Sequence, residues 1–289
     1  MSNYFLTQKA AEQRAECFSS SPDYFLYLRL NKGENYHGFV QVRFALKSRD
    51  HCFIDFNGRE VVSVLINNHA WEKKDIDAKY KEGFMHFDKD ELVVGENLLE
   101  IKFRCVYSHD GNGLHTFTDT DGAQYGYCQT EPYCCNRIFP VFDQPDIKGT
   151  INFLISAPND WTVVTNTPAE RSAPLPAYQD EHPFFKRVKS TFPEDFSSAD
   201  YLISQYRKSP HLSSYLFAFS FGPFKEIKSE DSTTVPMSIF CRASLYTHAL
   251  EQQHTIFAFP KHGIRFYEEF FRFKYPFEKY DMVFCPEYT

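Results

Sequence analysis

The sequence has no Cys-x-x-Cys unit: its eight cysteines, at 17, 52, 105, 128, 134, 135, 241 and 285, include no pair three apart. Zinc-thiolate and dithiol redox chemistry both need such pairs. Eight cysteines in 289 residues are also too few for a disulfide scaffold, and the adjacent Cys134 and Cys135 have poor geometry for a shared bridge or metal. They read as small buried hydrophobes. No two of the eleven histidines lie four apart, so His-Glu-x-x-His and its helical two-His zinc face are missing. A Gly-rich dinucleotide fingerprint, a phosphate loop ending in Gly-Lys-Ser/Thr and a Gly-x-Ser-x-Gly elbow are absent too. Basic charge is short, with 31 Lys plus Arg against 38 Asp plus Glu and a net charge of −7, which argues against a nucleic-acid partner. The longest uncharged stretch, Ser209–Phe224, carries four Ser, two Pro and a Gly, and is too short to span a bilayer. The N-terminus lacks the apolar core of a signal peptide. These absences predict a cytoplasmic protein with reduced thiols and no membrane partner.

Aromatic residues, by contrast, are plentiful, with 31 Phe and 18 Tyr, and much of the chain alternates between apolar and polar. Val40, Val42, Phe44 and Leu46 alternate with Gln41, Arg43, Ala45 and Lys47. Leu99, Ile101, Phe103, Cys105 and Tyr107 alternate with Glu100, Lys102, Arg104 and Val106. Both runs predict half-buried antiparallel strands. Val61–Ile66 running into Asn67-Asn68 predicts a strand entering a hairpin turn. Further strand-like runs fall at Ile151–Ile155, Trp161–Thr165, Ser214–Phe221 and Met237–Cys241. Residues 5–18 predict a short lead-in helix, and Thr167–Ser197, rich in Pro, Ser and charge, a loop-bearing excursion. Leu245–Phe273 is the one long helical candidate, with Ile264, Tyr267, Phe270 and Phe271 on one face and Pro260 expected to break or kink it. The expected architecture is mainly β: an N-terminal antiparallel β-sandwich or saddle domain over 1–225, with 1–22 as lead-in. Residues 226–289 then read as the opening strands and helix of a second unit.

Residues 107–149 concentrate the distinctive motifs. Gly113-Leu114 with Phe117 precedes Tyr125 to Pro132 (YGYCQTEP) and then Phe139 to Lys148 (FPVFDQPDIK). Two more blocks follow: Leu212 to Ala218 ending at Gly222-Pro223, and Tyr275-Pro276-Phe277-Glu278-Lys279-Tyr280-Asp281. Together these ordered blocks resemble the N-terminal part of the aminopeptidase N family of zinc metallopeptidases, the gluzincins, over most of residues 20–289. The resemblance implies a fold, a peptide substrate and a role for two residues. In the family the Glu of the Gln-x-Glu motif binds the free α-ammonium of the substrate and the Gln lines the pocket for its first side chain. Here these are Glu131 and Gln129. On an extended segment Tyr127, Gln129 and Glu131 would share one face. A carboxylate beside an amide there offers a cation acceptor and an adaptable hydrogen-bonding group. Read on its own, the pair is a strand of solvated polar residues before a turn at Pro132; the flanking blocks favour the binding role. Pro140 and Pro145 read as a rigid corner anchored by Phe139 and Phe142. Where the family carries Asp-Ala-Arg, this chain has Cys134-Cys135-Asn136, which removes the partners of an ion pair bracing the Gln-x-Glu loop.

The family's chemistry also needs a Gly-Ala-Met-Glu-Asn loop and the zinc ligands of His-Glu-x-x-His with a downstream Glu. Neither occurs in this sequence, so no catalytic residue and no metal ligand is assigned to it. Zinc is the cofactor that the resemblance implies for a full-length enzyme, and none is expected on this chain. Two readings stay open: the N-terminal fragment of a metalloaminopeptidase whose catalytic unit is truncated at Thr289, and a non-catalytic β-sandwich module that binds a peptide or protein. On the first reading the purified chain neither turns over a leucine anilide nor carries stoichiometric zinc by native mass spectrometry. Appreciable turnover or bound zinc would contradict it.

Overall fold

In a computed structural model, which describes residues 6–231 and 235–288, the alternating runs become strands. The lead-in forms α1 (Gln8–Glu16), followed by β1 (Asp23–Arg29), β2 (Asn35–Leu46), β3 (Phe53–Asp55), β4 (Glu60–Ile66) and β5 (His69–Ala70). Next come α2 (Lys73–Lys79), β6 (Tyr80–Lys81), β7 (Phe84–His86), β8 (Gly95–Val106), β9 (Gly113–Thr118) and β10 (Gln124–Gln129). The middle holds β11 (Thr150–Pro158), β12 (Thr162–Thr165), β13 (Ala169–Pro174), α3 (Pro183–Thr191) and β14 (Tyr201–Tyr206). The last elements are β15 (Phe219–Gly222), β16 (Lys225–Lys228), β17 (Met237–Cys241), α4 (Tyr246–Phe271) and β18 (Tyr280–Val283). Residues 1–5 of the expected lead-in, together with 232–234 and Thr289, lie outside the described residues.

The fold is mainly β, as the sequence predicts. An eight-stranded sheet runs β13-β14-β11-β1-β2-β8-β4-β5, and β2 and β8 form its spine, antiparallel from Asn35↔Val106 to Leu46↔Gly95. The sheet is not purely antiparallel: β1 lies beside β11 in parallel, Asp23 opposite Thr150. Asn67 and Asn68 take positive φ values of 49° and 68°, the left-handed pair that a tight hairpin between β4 and β5 requires.

Both faces of the large sheet are covered. One carries the main core, including Tyr24, Val40, Phe44, Ile101, Phe103 and Phe142. The other is covered by the 167–197 segment, which is more ordered than expected. β13 pairs with β14, and α3 drives Phe184, Phe185 and Val188 onto Tyr27, Phe39 and Ile203. Pro183 sits in the first turn of α3, where a missing N–H costs nothing. With two turns only, the helical period is too brief to emerge from the surrounding Pro and charge. Ser214–Leu216 also departs from expectation: it is a 3-10 turn, and β15 begins at Phe219. The hydroxyls of Ser213 and Ser214 reach Pro145 O and Asp143 Oδ1, both at 2.6 Å, and bend the chain away from an extended path.

A four-stranded sheet, β12-β15-β10-β9, adjoins this core. At its centre Gly126 lies flat against the Phe221 ring, where a Cβ would fall on the ring itself. Behind it a buried polar network ties the corner 139–145 to the turn after β10. Asp143 accepts from the backbone N–H and Nδ2 of Asn136 at 2.9 and 2.7 Å, and from the Ser214 hydroxyl. Burial lifts the Asp143 carboxyl from 3.8 to about 6, and the nearby Asp55 adds to the rise. The bonds from Ser214 and Asn136 pull the other way and are outweighed.

A three-stranded sheet, β16-β17-β18, with β17 and β18 parallel, packs against α4. Pro260 does not break α4, which is a single helix with the proline inside it. Ala249 and Phe257 are buried against Ile239 and Met237, with Ile264 partly buried beside them. Beyond Pro260 the apolar face is open, with Tyr267 and Phe270 57 % and 68 % exposed.

Two outcomes follow from this packing. Gly126→Ala should destabilise the chain by roughly 1–3 kcal/mol, because the fully buried Phe221 has no open side to turn to; urea unfolding midpoints measure it. Asp143 binds its proton more tightly folded than unfolded, so its contribution to stability is present at low pH and lost as pH rises through about 6. Asp143→Asn should therefore remove a loss on the order of 1 kcal/mol between about pH 5 and about pH 7.5, visible as a flatter pH dependence of the unfolding free energy.

Candidate functional site

The β9–β10 hairpin builds the site. Its ladder runs from Gln124↔Thr118 to Gln129↔Gly113 and ends there, since Gly113 has φ +72° and the chain before it curls through Asp110–Asn112. Gln129 is half-buried at the end of β10. Thr130 is buried and donates its hydroxyl to Tyr215 O at 2.6 Å, which pins the first residue past the strand. The chain then turns: Cys134 N–H donates to Thr130 O at 2.8 Å, the Glu131–Pro132 peptide is cis, and Glu131 is exposed on the turn. Tyr127 and Gln129 thus share a face of β10, as expected. Glu131 does not continue that row; it stands on the turn just beyond it, because the ladder runs out at Gly113.

The turn keeps a brace although Cys134-Cys135-Asn136 stand where the family carries Asp-Ala-Arg. Arg137 pairs with Asp110 at 3.0 Å, and Asn136 is held by Asp143. Burial alone would raise the Asp110 carboxyl, but hydrogen bonds from Ser108 and Arg137 outweigh it and hold the group at about 2. The Tyr133 hydroxyl donates to Asp55 Oδ1 at 2.7 Å. The bracing ion pair is therefore a different one, and hydrogen bonds to the Asp143 and Asp55 carboxyl groups add to it.

Residues 285–288 cross over this face, which sequence reasoning did not anticipate. The Tyr127 hydroxyl donates to Glu287 O at 2.9 Å, and the rings of Tyr127 and Tyr288 lie 5.2 Å apart. The Tyr288 hydroxyl is 3.4 Å from Gln129 Oε1. His115, opposite Tyr127 on β9, accepts the Gly111 N–H at Nδ1 and presents Nε2 to Glu287 Oε2 at 3.1 Å. A ring that accepts at Nδ1 carries its hydrogen on Nε2, so His115 reaches Glu287 as a donor. Burial, followed by the potentials of Cys285, Glu287 and Tyr288, pushes the Tyr127 hydroxyl up to about 12, which keeps it a donor at neutral pH. One signal for His115 lay in the sequence: once β9 and β10 are read as a hairpin, register places it across from Tyr127. Glu287 and Tyr288 offered none, since their contacts are tertiary.

The arrangement offers an exposed carboxylate on a braced turn, an amide at the adjacent strand end and aromatic rings beside it. It is a surface suited to a cation attached to an apolar group. It is not suited to a metal. Among the described residues no group of three or more His, Cys, Asp or Glu is placed to hold an ion, so the residues present do not fit the zinc implied by the resemblance. Among the described residues, too, no helix is long and apolar enough to cross a membrane.

Comparison with known proteins agrees with the resemblance seen in the motifs. The model of the peptidase M1 N-terminal domain matches residues 20–192. Aminopeptidase N of Streptomyces lividans is 30 % identical over 98 % of this chain, an alignment that takes in 30 % of that protein. Aminopeptidase M1 of Arabidopsis thaliana is 22 % identical over 70 % of the chain and 21 % of its own length. For aminopeptidase N of Oryctolagus cuniculus the identity is 26 %, over 53 % of the chain and 14 % of that protein. The chain spans less than a third of the length of these curated relatives. It belongs to the peptidase M1 family and carries that family's N-terminal domain.

Proposed function

We propose that this chain is the N-terminal portion of a zinc metalloaminopeptidase, an enzyme that removes N-terminal amino acids from peptides. On this reading the chain supplies part of the site for the substrate's N-terminus. Residues 1–225 would form the N-terminal β domain and 226–289 the start of the catalytic one, a division supported by the separate β16-β17-β18 sheet and its helix. Zinc would belong to the full-length enzyme and be held by residues outside this sequence. The eight free cysteines favour a reducing, cytoplasmic setting, and the aminopeptidase reading implies a role in peptide catabolism.

Glu131 would take the α-ammonium and Gln129 would line the pocket for the first side chain. The observation that carries this reading is the pairing of an exposed carboxylate on a braced turn with an amide at the adjoining strand end, in a chain whose relatives are named aminopeptidases. An α-amine has a pKa of roughly 7.7–8.0, so it reaches this carboxylate mostly charged at neutral pH. At an exposed carboxylate a charge-assisted bond of that kind, screened by solvent, contributes about 1 kcal/mol. Occupation of the site by an amine requires that the peptide begin there, which would make the enzyme an exopeptidase.

The test is a titration of the chain with a leucine dipeptide amide, followed by nuclear magnetic resonance, beside its N-acetylated form. The free amine should shift the signals of Gln129 and Thr130, and the acetylated peptide should not. Glu131→Gln should weaken binding several-fold, and binding should fall as pH rises past about 8. Equal binding of the acetylated peptide, or indifference to Glu131→Gln, would refute the assignment.

A further inference from the structure

Behind the Glu131 turn, Asp55 is fully buried, and its two carboxylate oxygens serve different parts of the chain. Oδ1 accepts from the Tyr133 hydroxyl at 2.7 Å. Oδ2 accepts from the backbone N–H of Asp143 at 2.9 Å and from Nη2 of Arg14. Arg14 belongs to α1 and is the one residue of that helix to be buried. The same Nη2 donates to Phe53 O at 2.9 Å, and the guanidinium carbon stands 3.8 Å from the centre of the Phe53 ring. Nε and Nη1, by contrast, are buried with no hydrogen-bond partner. Burying unsatisfied donors is unfavourable, so the contacts of the third nitrogen must outweigh that loss.

We propose that Arg14 is a positioning residue for the turn that bears Glu131. It fixes Asp55, and Asp55 fixes Tyr133, two residues past Glu131. The function of the turn rests on the amine-binding reading above, but the linkage from α1 to the turn does not. Asp55 and Asp143 form a buried pair of carboxyl groups served by a single cation. Tyr24, Tyr133 and Cys135 face the pair as neutral groups, and His86 approaches from β7. With Arg14 removed, two buried carboxyls stand near each other with no counter-charge, and the acceptor that holds Tyr133 loses the contact that fixes its position. The lead-in helix is thereby part of the support of a site formed more than a hundred residues later in the chain.

Hydrogen exchange resolved to single amides, on the full chain, tests the linkage. In Arg14→Met the amides of Cys134 and Asn136 should exchange roughly tenfold faster or more, while those of β2 and β8 keep their rates. Arg14→Lys should restore part of the protection, because only one arginine nitrogen makes hydrogen bonds and one ammonium can replace it. A merely space-filling role would be met by Met as well as by Lys. Tyr133→Phe should loosen the turn and leave α1 unchanged, and the double variant Arg14→Met/Tyr133→Phe should be no looser at the turn than Arg14→Met alone, since both act through Asp55. Unchanged turn amides in Arg14→Met, or additive effects in the double variant, overturn the proposal. Should Arg14→Met fail to fold, Tyr133→Phe and Arg14→Lys decide: a turn indifferent to the first, or fully loosened by the second, is equally fatal. If the wild-type chain ignores the free dipeptide while the exchange pattern holds, the amine reading fails and the linkage stands.

Discussion

A single buried carboxylate, that of Asp55, joins parts of this domain that the sequence keeps far apart. Its backbone bridges to Val141 in both directions, its side chain holds Tyr133 and the backbone of Asp143, and its charge is met by Arg14. Taking an ion pair out of water is expensive, and such pairs stabilise little when compared with a well-packed apolar core. Removing one partner is another matter, because the remaining charge is left stranded. The arrangement therefore contributes specificity more than stability. The same carboxylate holds α1, the 139–145 corner and the turn after β10 in one placement, at the cost of two unpartnered Arg14 nitrogens, and that placement sets where Glu131 stands.

Alternation made the strands legible, but not their burial: the face expected to be wet is covered by the 167–197 segment, and Gln41 and Glu100 are buried on it and bond to each other at 2.9 Å. β2 and β8 lie where the period-two pattern put them, β4 and β17 where strand-like runs did, and the asparagine pair after Ile66 was legible through its tolerance of positive φ. The elements misread are those in which local preference is overruled. Ser214–Leu216 has strand-like composition, yet Ser214 bonds to Asp143 and the preceding Ser213 to Pro145 O, which curls the segment. Pro260 reads as a break or a kink, and it is not a break: α4 runs through it as one helix, with Ala249 and Phe257 packed on β17 before it. The parallel neighbour of β1 was invisible, since no local signal tells a strand which distant partner will lie beside it.

The candidate site shows the same division. The motif singled out Gln129 and Glu131, and spacing from Gln129 singled out Tyr127. Their geometric relation was not legible, because it depends on where the β9–β10 ladder stops. Asn136 stands in a block that departs from the family pattern, yet it supplies a brace through Asp143, while the ion pair lies one residue on, at Arg137. Arg14 was hidden most completely. In an exposed, charged helix an arginine looks like solvent-facing charge, and only the folded chain shows it buried against Phe53.

The position of β1 bears on how such a chain comes off the ribosome. Its antiparallel partner β2 follows within a few residues, so the two can pair almost at once. Its other neighbour, β11, is made only after every residue through Pro158 has been added. Until then one edge of the earliest hairpin is open, apolar and unpaired, in the middle of what will be an eight-stranded sheet. Non-local pairing of this kind folds slowly and leaves strand edges available to other chains. Nascent-chain chaperones would thus matter most for this domain between the synthesis of β2 and that of β11, a window set by topology and not by the strength of any contact.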